Sequence, residues 1–213
     1  RIVSILEQAR GNVVRAVNTN MVLAYWLIGR EIVEEIQRGK GRAKYGAKVI
    51  DDLSARLTER YGQGFSVANL QWFRKFYLAY HERITIPYPM GTESALLQIP
   101  RPTGTELSRA EKGFPADSHT SQGFSPQLSW SHYRALMRVE NREARDFYEQ
   151  EAAAGGWDKR TLERQIQSFY YERILKSRKP KKMLVEGRNL PVPVIPAADE
   201  LKNPYVLEFL GLP

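Results

Sequence analysis

Asn69, Gln71, Arg74 and Lys75 are four side chains of the kind that read DNA, set within one short stretch. They follow the turn signal Gly62-Gln63-Gly64, and Leu70, Phe73, Phe76 and Tyr77 recur at helical spacing among them. The pattern predicts a helix that buries the apolar stripe and leaves the four polar residues mostly away from it. Amide and guanidinium groups projecting from a helix after a tight turn are the groups used in major-groove readout. A solvated helix face has the same composition, so spacing alone leaves both readings open.

Other cations are grouped rather than scattered. Lys159, Arg160 and Arg164 fall in the first turns of a predicted helix, where positive charge opposes the helix dipole; a phosphate partner is one reason for such placement. Lys176, Arg178, Lys179, Lys181 and Lys182 form a tight cluster suited to nonspecific phosphate contact through counterion release, or to a solubilising hinge. Arg42, Lys44 and Lys48 precede the second helix and admit the same two readings. Residues 1–83 carry 14 Lys and Arg against 8 acids, residues 84–128 carry 3 against 4, and residues 129–213 carry 15 against 12. The excess charge of +8 therefore belongs to the helical halves and the cation cluster, not to the loop between them, and it favours a polyanionic partner.

Catalytic constellations are hard to assemble from this chain. Asp51 and Asp52 are helix neighbours and point apart. Ser131-His132 has no visible third member, and a lone helical histidine is more often structural than nucleophile-activating. Glu200-Leu201-Lys202 has the Glu-x-Lys form used by metal-dependent nucleases, but it stands between a proline-rich stretch and Asn203-Pro204 with no strand around it, which marks a chance match. Cysteine is absent and the histidines are His81, His119 and His132, so neither disulfides nor a histidine-rich metal site is expected. Trp26, Trp72, Trp130 and Trp157 would suit base stacking, yet most aromatics share faces with Leu and Ile, and core packing is the expectation.

These groups must be positioned by helices. Apolar residues recur from Ile2 to Ile36, predicting one long helix bent near Gly11 or Asn18 and ending at Gly39-Lys40-Gly41. A second helix is predicted from Gly46 to Tyr61, and a third from an N-cap at Ser66 with Phe65 as its staple. Periodicity collapses over residues 84–127, a Pro/Gly/Ser-rich insertion expected to be mobile apart from a short piece near Ser94–Leu97. Helices then return over Ser131–Val139, Asn141–Ala153 and Asp158–Ser177. Gly64-Phe65-Ser66 leading to Leu70 and Phe76-Tyr77 is weakly repeated as Gly156-Trp157-Asp158 leading to Leu162 and Phe169-Tyr170, which hints at two helix-turn-helix-like units. The expected organisation is a mainly α protein. It comprises a helical half at 1–83, the insertion at 84–127, a second half at 128–178, and a basic, proline-rich linker at 179–213. The longest apolar run, Met21–Ile28, is too short to span a bilayer, so no membrane partner is expected and a cytoplasmic setting is assumed.

Several of these residues resemble a known bacterial family, the YhcG-type proteins. The resemblance rests on Tyr25-Trp26, Ile28-Gly29, Tyr45-Gly46 and Gly64-Phe65-Ser66 with Asn69-Leu70. In the second half it rests on Leu128-Ser129-Trp130-Ser131-His132-Tyr133, Arg145-Asp146-Phe147-Tyr148, Trp157 and Leu162-Glu163-Arg164-Gln165-Ile166 with Tyr171-Glu172-Arg173. It implies an N-terminal DNA-binding or targeting module, helical and winged-helix-like, attached in cis to a magnesium-dependent nuclease of the PD-(D/E)XK class with roles in restriction, repair or defence. Asn203–Pro213 is similar to the segment entering that nuclease, whose metal-binding carboxylates have no counterpart here. The chain is thus expected to be noncatalytic and to hold no cofactor. The other expectation is a protein-interaction module that forms a homodimer through the long first helix or docks the nuclease on a partner.

Overall fold

The computed structural model describes residues 1–38, 43–83, 123–190, 199 and 202–211. The described residues are helical and contain no strand, so the wing of a winged helix has no counterpart among them. The helices are α1 (Ile2–Arg38), α2 (Ala43–Tyr61), α3 (Val67–Tyr80), α4 (Trp130–Leu136), α5 (Arg142–Gly155), α6 (Lys159–Gln167), α7 (Tyr170–Lys176), α8 (Pro180–Arg188) and α9 (Pro204–Leu210), with a 3-10 turn at Gln63–Phe65. None is long and apolar enough to cross a membrane. The expected piece near Ser94–Leu97 lies outside the described residues.

α1 continues through Gly11 and Asn18 and stops just before Gly39, where the glycines withdraw helix propensity. Its buried face begins only at Val14 and continues through Met21, Val22, Tyr25, Trp26, Ile32 and Val33. α3 lies along this face. The two backbones meet at Gly29, where a Cβ would collide with the Phe73 carbonyl, so only glycine allows the approach. Tyr25 stacks on Phe73 at 4.1 Å, and the Trp26 indole donates to the Tyr80 carbonyl at 3.4 Å.

The second half completes the same core. Trp130 of α4 lies 5.0 Å from Tyr25, 5.4 Å from Phe73 and 5.3 Å from Phe76. Phe124, at the end of the stretch read as an insertion, is already buried against Phe76 and Tyr133. Arg145 of α5 places its guanidinium over Tyr80 at 5.2 Å and donates to the Ala79 carbonyl at 3.2 Å. A cation at the C-terminal end of α3 also complements the helix dipole. Each large aromatic buried here contributes about 1.5–3 kcal/mol of transfer free energy, and together they join both halves in one core.

Two segments depart from the linker expected at 179–213. Pro180 does not extend the chain but opens α8 at the first helical position, where its missing N–H is no loss. Residues 204–210 fold back as α9, with the Asn203 side chain accepting from the Tyr205 amide and Gly211 ending the helix in the left-handed region. Val206 of α9 is buried, and Phe209 meets Tyr25 edge-on at 6.0 Å. The apolar composition of Asn203–Pro213 is explained, over its described part, by packing on α1.

Candidate nucleic-acid interface

α3 presents Gln71, Arg74 and Lys75 to solvent, and among the described residues Arg74 makes no ion pair. Lys75 rests its ammonium 5.2 Å from the Trp72 ring. Arg134 of α4 reaches the same ring at 5.1 Å and the Tyr205 ring at 5.5 Å, and it donates to the Tyr205 hydroxyl. Trp72 is therefore half-buried under cations from two helices, an arrangement in which ring and charge attract. Arg134 was not singled out as a site residue from sequence. Its only signal was its place in the Ser-Trp-Ser-His-Tyr-Arg stretch.

Asn69 sits elsewhere. It lies toward the apolar side of α3, half-buried, and its side-chain amide donates to the Gly64 carbonyl at 3.0 Å. That bond braces the 3-10 turn that leads into α3, so the amide group expected to face DNA is engaged within the fold. Ser66 occupies the N-cap position but its side chain makes no capping bond.

A second set of cations lies on α6, α7 and α8, which pack in succession. Arg160 and Arg164 are exposed on one face of α6. Burial works against ionisation of the N-cap residue Asp158, but hydrogen bonds from Thr161, including its amide at 2.8 Å, and the charges of His132 and Arg160 hold its carboxyl below the ordinary 3.8. The negative cap thus offsets the cations that oppose the dipole of α6. Lys159 pairs instead with Glu163 at 3.6 Å, and Arg138 reaches Glu163 at 3.4 Å.

Lys176, Arg178, Lys179, Lys181 and Lys182 are all exposed on the corner between α7 and α8. Both sides of the corner are anchored. The Arg188 guanidinium grips the buried Glu151 carboxylate with two bonds of 2.9 and 2.7 Å. The Trp157 indole donates to the Gly187 carbonyl at 2.9 Å, and the Tyr170 hydroxyl donates to the Met183 carbonyl at 2.7 Å. Gly187 has no side chain because the Tyr170 ring occupies that space. Lys182 pairs with Glu186 at 3.7 Å, an exposed pair of small energetic consequence. The others project from a turn held on both sides. The site residues foreseen from sequence thus fall in two places, one on α3 against α1, α2 and α4, the other on the α6–α8 side.

His132 is used structurally. His132 Nε2 lies 3.0 Å from the Trp157 carbonyl, which fixes the proton on Nε2. Nδ1 then accepts from Ser129, whose amide is at 3.1 Å and hydroxyl at 2.8 Å. The histidine closes a capping box for α4. Its third partner is a main-chain carbonyl and not a carboxylate, so no nucleophilic triad is built. Burial, outweighing the Trp157 bond, lowers its pKa below 6.5. Lys202 pairs with Asp199 at 3.1 Å, while Glu200, Leu201, Arg42 and the Lys44 side chain lie outside the described residues. No group of three His, Asp or Glu side chains that could hold a metal ion occurs among the described residues, and the exposed neighbours Asp51 and Asp52 do not fit magnesium.

A helical domain with an aromatic core and cation-bearing outer helices belongs to a defined family. The DUF1016 N-terminal domain family matches residues 1–93 and 106–173, and this chain is a member of it. Residues 94–105, which the match omits, fall inside the segment read as an insertion. The chain is also 39% identical over 211 residues, 99% of its length, to "Putative nuclease YhcG" of Escherichia coli (strain K12). It spans about half of that relative, 54% of its length. No solved structure matches it.

Proposed function

We propose that this chain is the DNA-binding and targeting module of a nuclease of the PD-(D/E)XK kind, performing no catalysis itself. The observation that carries the reading is the α7–α8 corner, where Lys176, Arg178, Lys179 and Lys181 stand exposed on an anchored turn without a carboxylate partner among the described residues. A turn held in place loses little backbone freedom on meeting phosphates, and each phosphate neutralised releases counterions. Gln71, Arg74 and Lys75 form a second face, with Arg160 and Arg164 beside the corner. The similarity to a relative named as a putative nuclease supports a catalytic domain in cis as the module's partner, and magnesium would belong to that domain.

Fluorescence anisotropy of labelled duplex DNA, titrated at several salt concentrations, tests the proposal. Log K should fall linearly with log salt. Replacing Arg178, Lys179 and Lys181 by Gln should flatten the slope by roughly 2 to 3, since each phosphate contributes about 0.9. Anisotropy that stays flat at low salt rejects it.

A protein-interaction reading is favoured by one specific observation. Ile2, Ile5, Leu6 and Val13 of α1 are all more than half exposed, on the part of the helix that precedes its buried face. Sedimentation equilibrium giving twice the chain mass, lost on Ile5→Glu with Leu6→Glu, together with no affinity for DNA, would establish that reading instead.

A further inference from the structure

Phe169 is placed against every ordinary preference of its residue type. It lies between α6 and α7 with φ 52° and ψ 46°, the one non-glycine residue with positive φ among those described. A bulky residue in this region carries a penalty of about 1–2 kcal/mol that glycine avoids. Burial does not compensate, because the residue is 65% exposed and its ring touches no other aromatic among the described residues. Backbone and packing would both accept a small residue here, so neither accounts for a phenyl ring.

The surroundings supply an account. Phe169 stands just before α7, four residues ahead of Arg173, and Arg173 and Lys176, three apart, share a face of that helix. Arg173 and Lys176 are exposed, the Arg173 guanidinium lies 5.6 Å from the Tyr170 ring, and the Arg173 amide bonds the Phe169 carbonyl at 3.0 Å, tying the Phe169 backbone to the first turn of α7. Between Phe169 and Lys182 the chain has one acid, Glu172, against Arg173, Lys176, Arg178, Lys179, Lys181 and Lys182. An exposed apolar ring that opens a segment rich in exposed cations complements a base next to its phosphates. A protein partner with an apolar pocket would have to meet that positive segment as well.

We infer that Phe169 stacks on a nucleobase and that Arg173, Lys176 and the adjoining corner hold the flanking phosphates, so that this face selects DNA whose base stack is already interrupted. The inference rests on the DNA-binding reading above and adds the substrate class. A continuous duplex gives the ring no free base face, because opening a step costs a few kcal/mol. At a mismatch, gap or unpaired junction that cost is reduced or absent. One ring on a convex corner is suited to the second kind of substrate.

The test uses the whole chain and two labelled duplexes of equal length, one continuous and one with a central single-nucleotide gap. The wild-type chain should bind the gapped duplex more tightly. Phe169→Ala should weaken that binding by roughly 5- to 100-fold while leaving the salt slope unchanged, and Phe169→Trp should retain it. The exposed position makes both variants expected to fold, which circular dichroism checks. Equal affinity of the wild-type chain for the two duplexes, or of Phe169→Ala and wild type for the gapped one, overturns the inference while salt-dependent binding stands. A wild-type chain that binds neither duplex overturns the DNA-binding reading and this one with it. A dimer dissociated by Phe169→Ala, with DNA affinity unaltered, assigns the ring to a second copy and overturns it as well.

Discussion

The stretch from Gly64 to Tyr77 and the stretch from Gly156 to Tyr170 begin alike and end differently. Each opens with glycine, an aromatic residue and a capping residue, and each then buries a leucine completely, Leu70 in one and Leu162 in the other. α3 continues for 14 residues because α1 and α4 lie beside it, giving Phe73, Phe76 and Tyr80 partners at each turn. α6 stops after 9 residues. There the buried Tyr148 hydroxyl of α5 accepts from the Tyr171 amide at 3.1 Å and donates to the Gln165 carbonyl at 3.4 Å, replacing bonds that a continuous helix would make. Phe76 is fully buried, whereas its counterpart Phe169 faces solvent. The same local pattern thus yields a core helix or a broken, exposed corner according to what the neighbouring helix offers.

The comparison is broken most severely by exchanging the fates of the two aromatics. Phe76→Ala should destabilise the chain by about 3–5 kcal/mol, because it leaves a cavity among Tyr80, Phe124, Trp130 and Tyr133. Phe169→Gly should be neutral or stabilising by up to about 1 kcal/mol, since strain is removed and little burial is lost. Urea unfolding of the two variants measures both. A comparable loss in each would mean that Phe169 is packed and that the two regions do not differ.

The break itself can be tested next. Tyr148→Phe keeps the ring but deprives the Tyr171 amide of its partner, while the Gln165 carbonyl keeps the Ser168 hydroxyl at 3.2 Å. Leaving the amide unsatisfied costs about 1–3 kcal/mol. The amide of Tyr171 should also lose hydrogen-exchange protection. Full protection with unchanged stability would show that the hydroxyl does not organise the break.

A buried histidine distinguishes the second region further, for His132 ties α4 to the turn before α6 through the Trp157 carbonyl. Its pKa is lowered in the folded chain, so the unfolded chain binds the proton first as pH falls. The stabilisation is fully present above the unfolded value of 6.5 and is lost as pH drops from there through the folded value. Stability should fall by up to about 1.4 kcal/mol per pH unit within that window. Denaturant melts at a series of pH values should show this slope for the wild-type chain and a flatter one for His132→Gln.

Much of this fold was legible in the sequence. α1 and α2 end at the glycines predicted to stop them, and the tryptophans Trp26, Trp130 and Trp157 are buried as their faces require. What was not legible depended on partners distant along the chain. Asp158–Ser177 reads as one helix until Tyr148 of α5 is placed beside it. Lys179-Pro180-Lys181-Lys182 reads as linker, because nothing local announces that Arg188 will find Glu151 or that Gly187 is needed under Tyr170. Asn69 has the composition of a DNA-reading group, and only the position of the Gly64 carbonyl shows that its amide is occupied. The corner cations were visible as charge, but the anchoring that fixes their place was not.

The smallest difference between the two regions lies at their first residues. Asp158 accepts the Thr161 amide and adds negative charge at the start of α6, where Lys159 and Arg160 otherwise oppose the dipole. Asp158→Ala should therefore cost about 1 kcal/mol, the usual contribution of a working N-cap. Ser66 stands at the same position of α3 without making a capping bond, and Leu70 and the core behind it already fix that helix. Ser66→Ala should cost no more than a few tenths of a kcal/mol, within the range of a substitution that removes no interaction. Thermal melts of the two variants compare them directly. Equal losses would mean that Ser66 caps α3 in solution and that the two helix starts are equivalent, leaving the divergence entirely to the Tyr148-organised break.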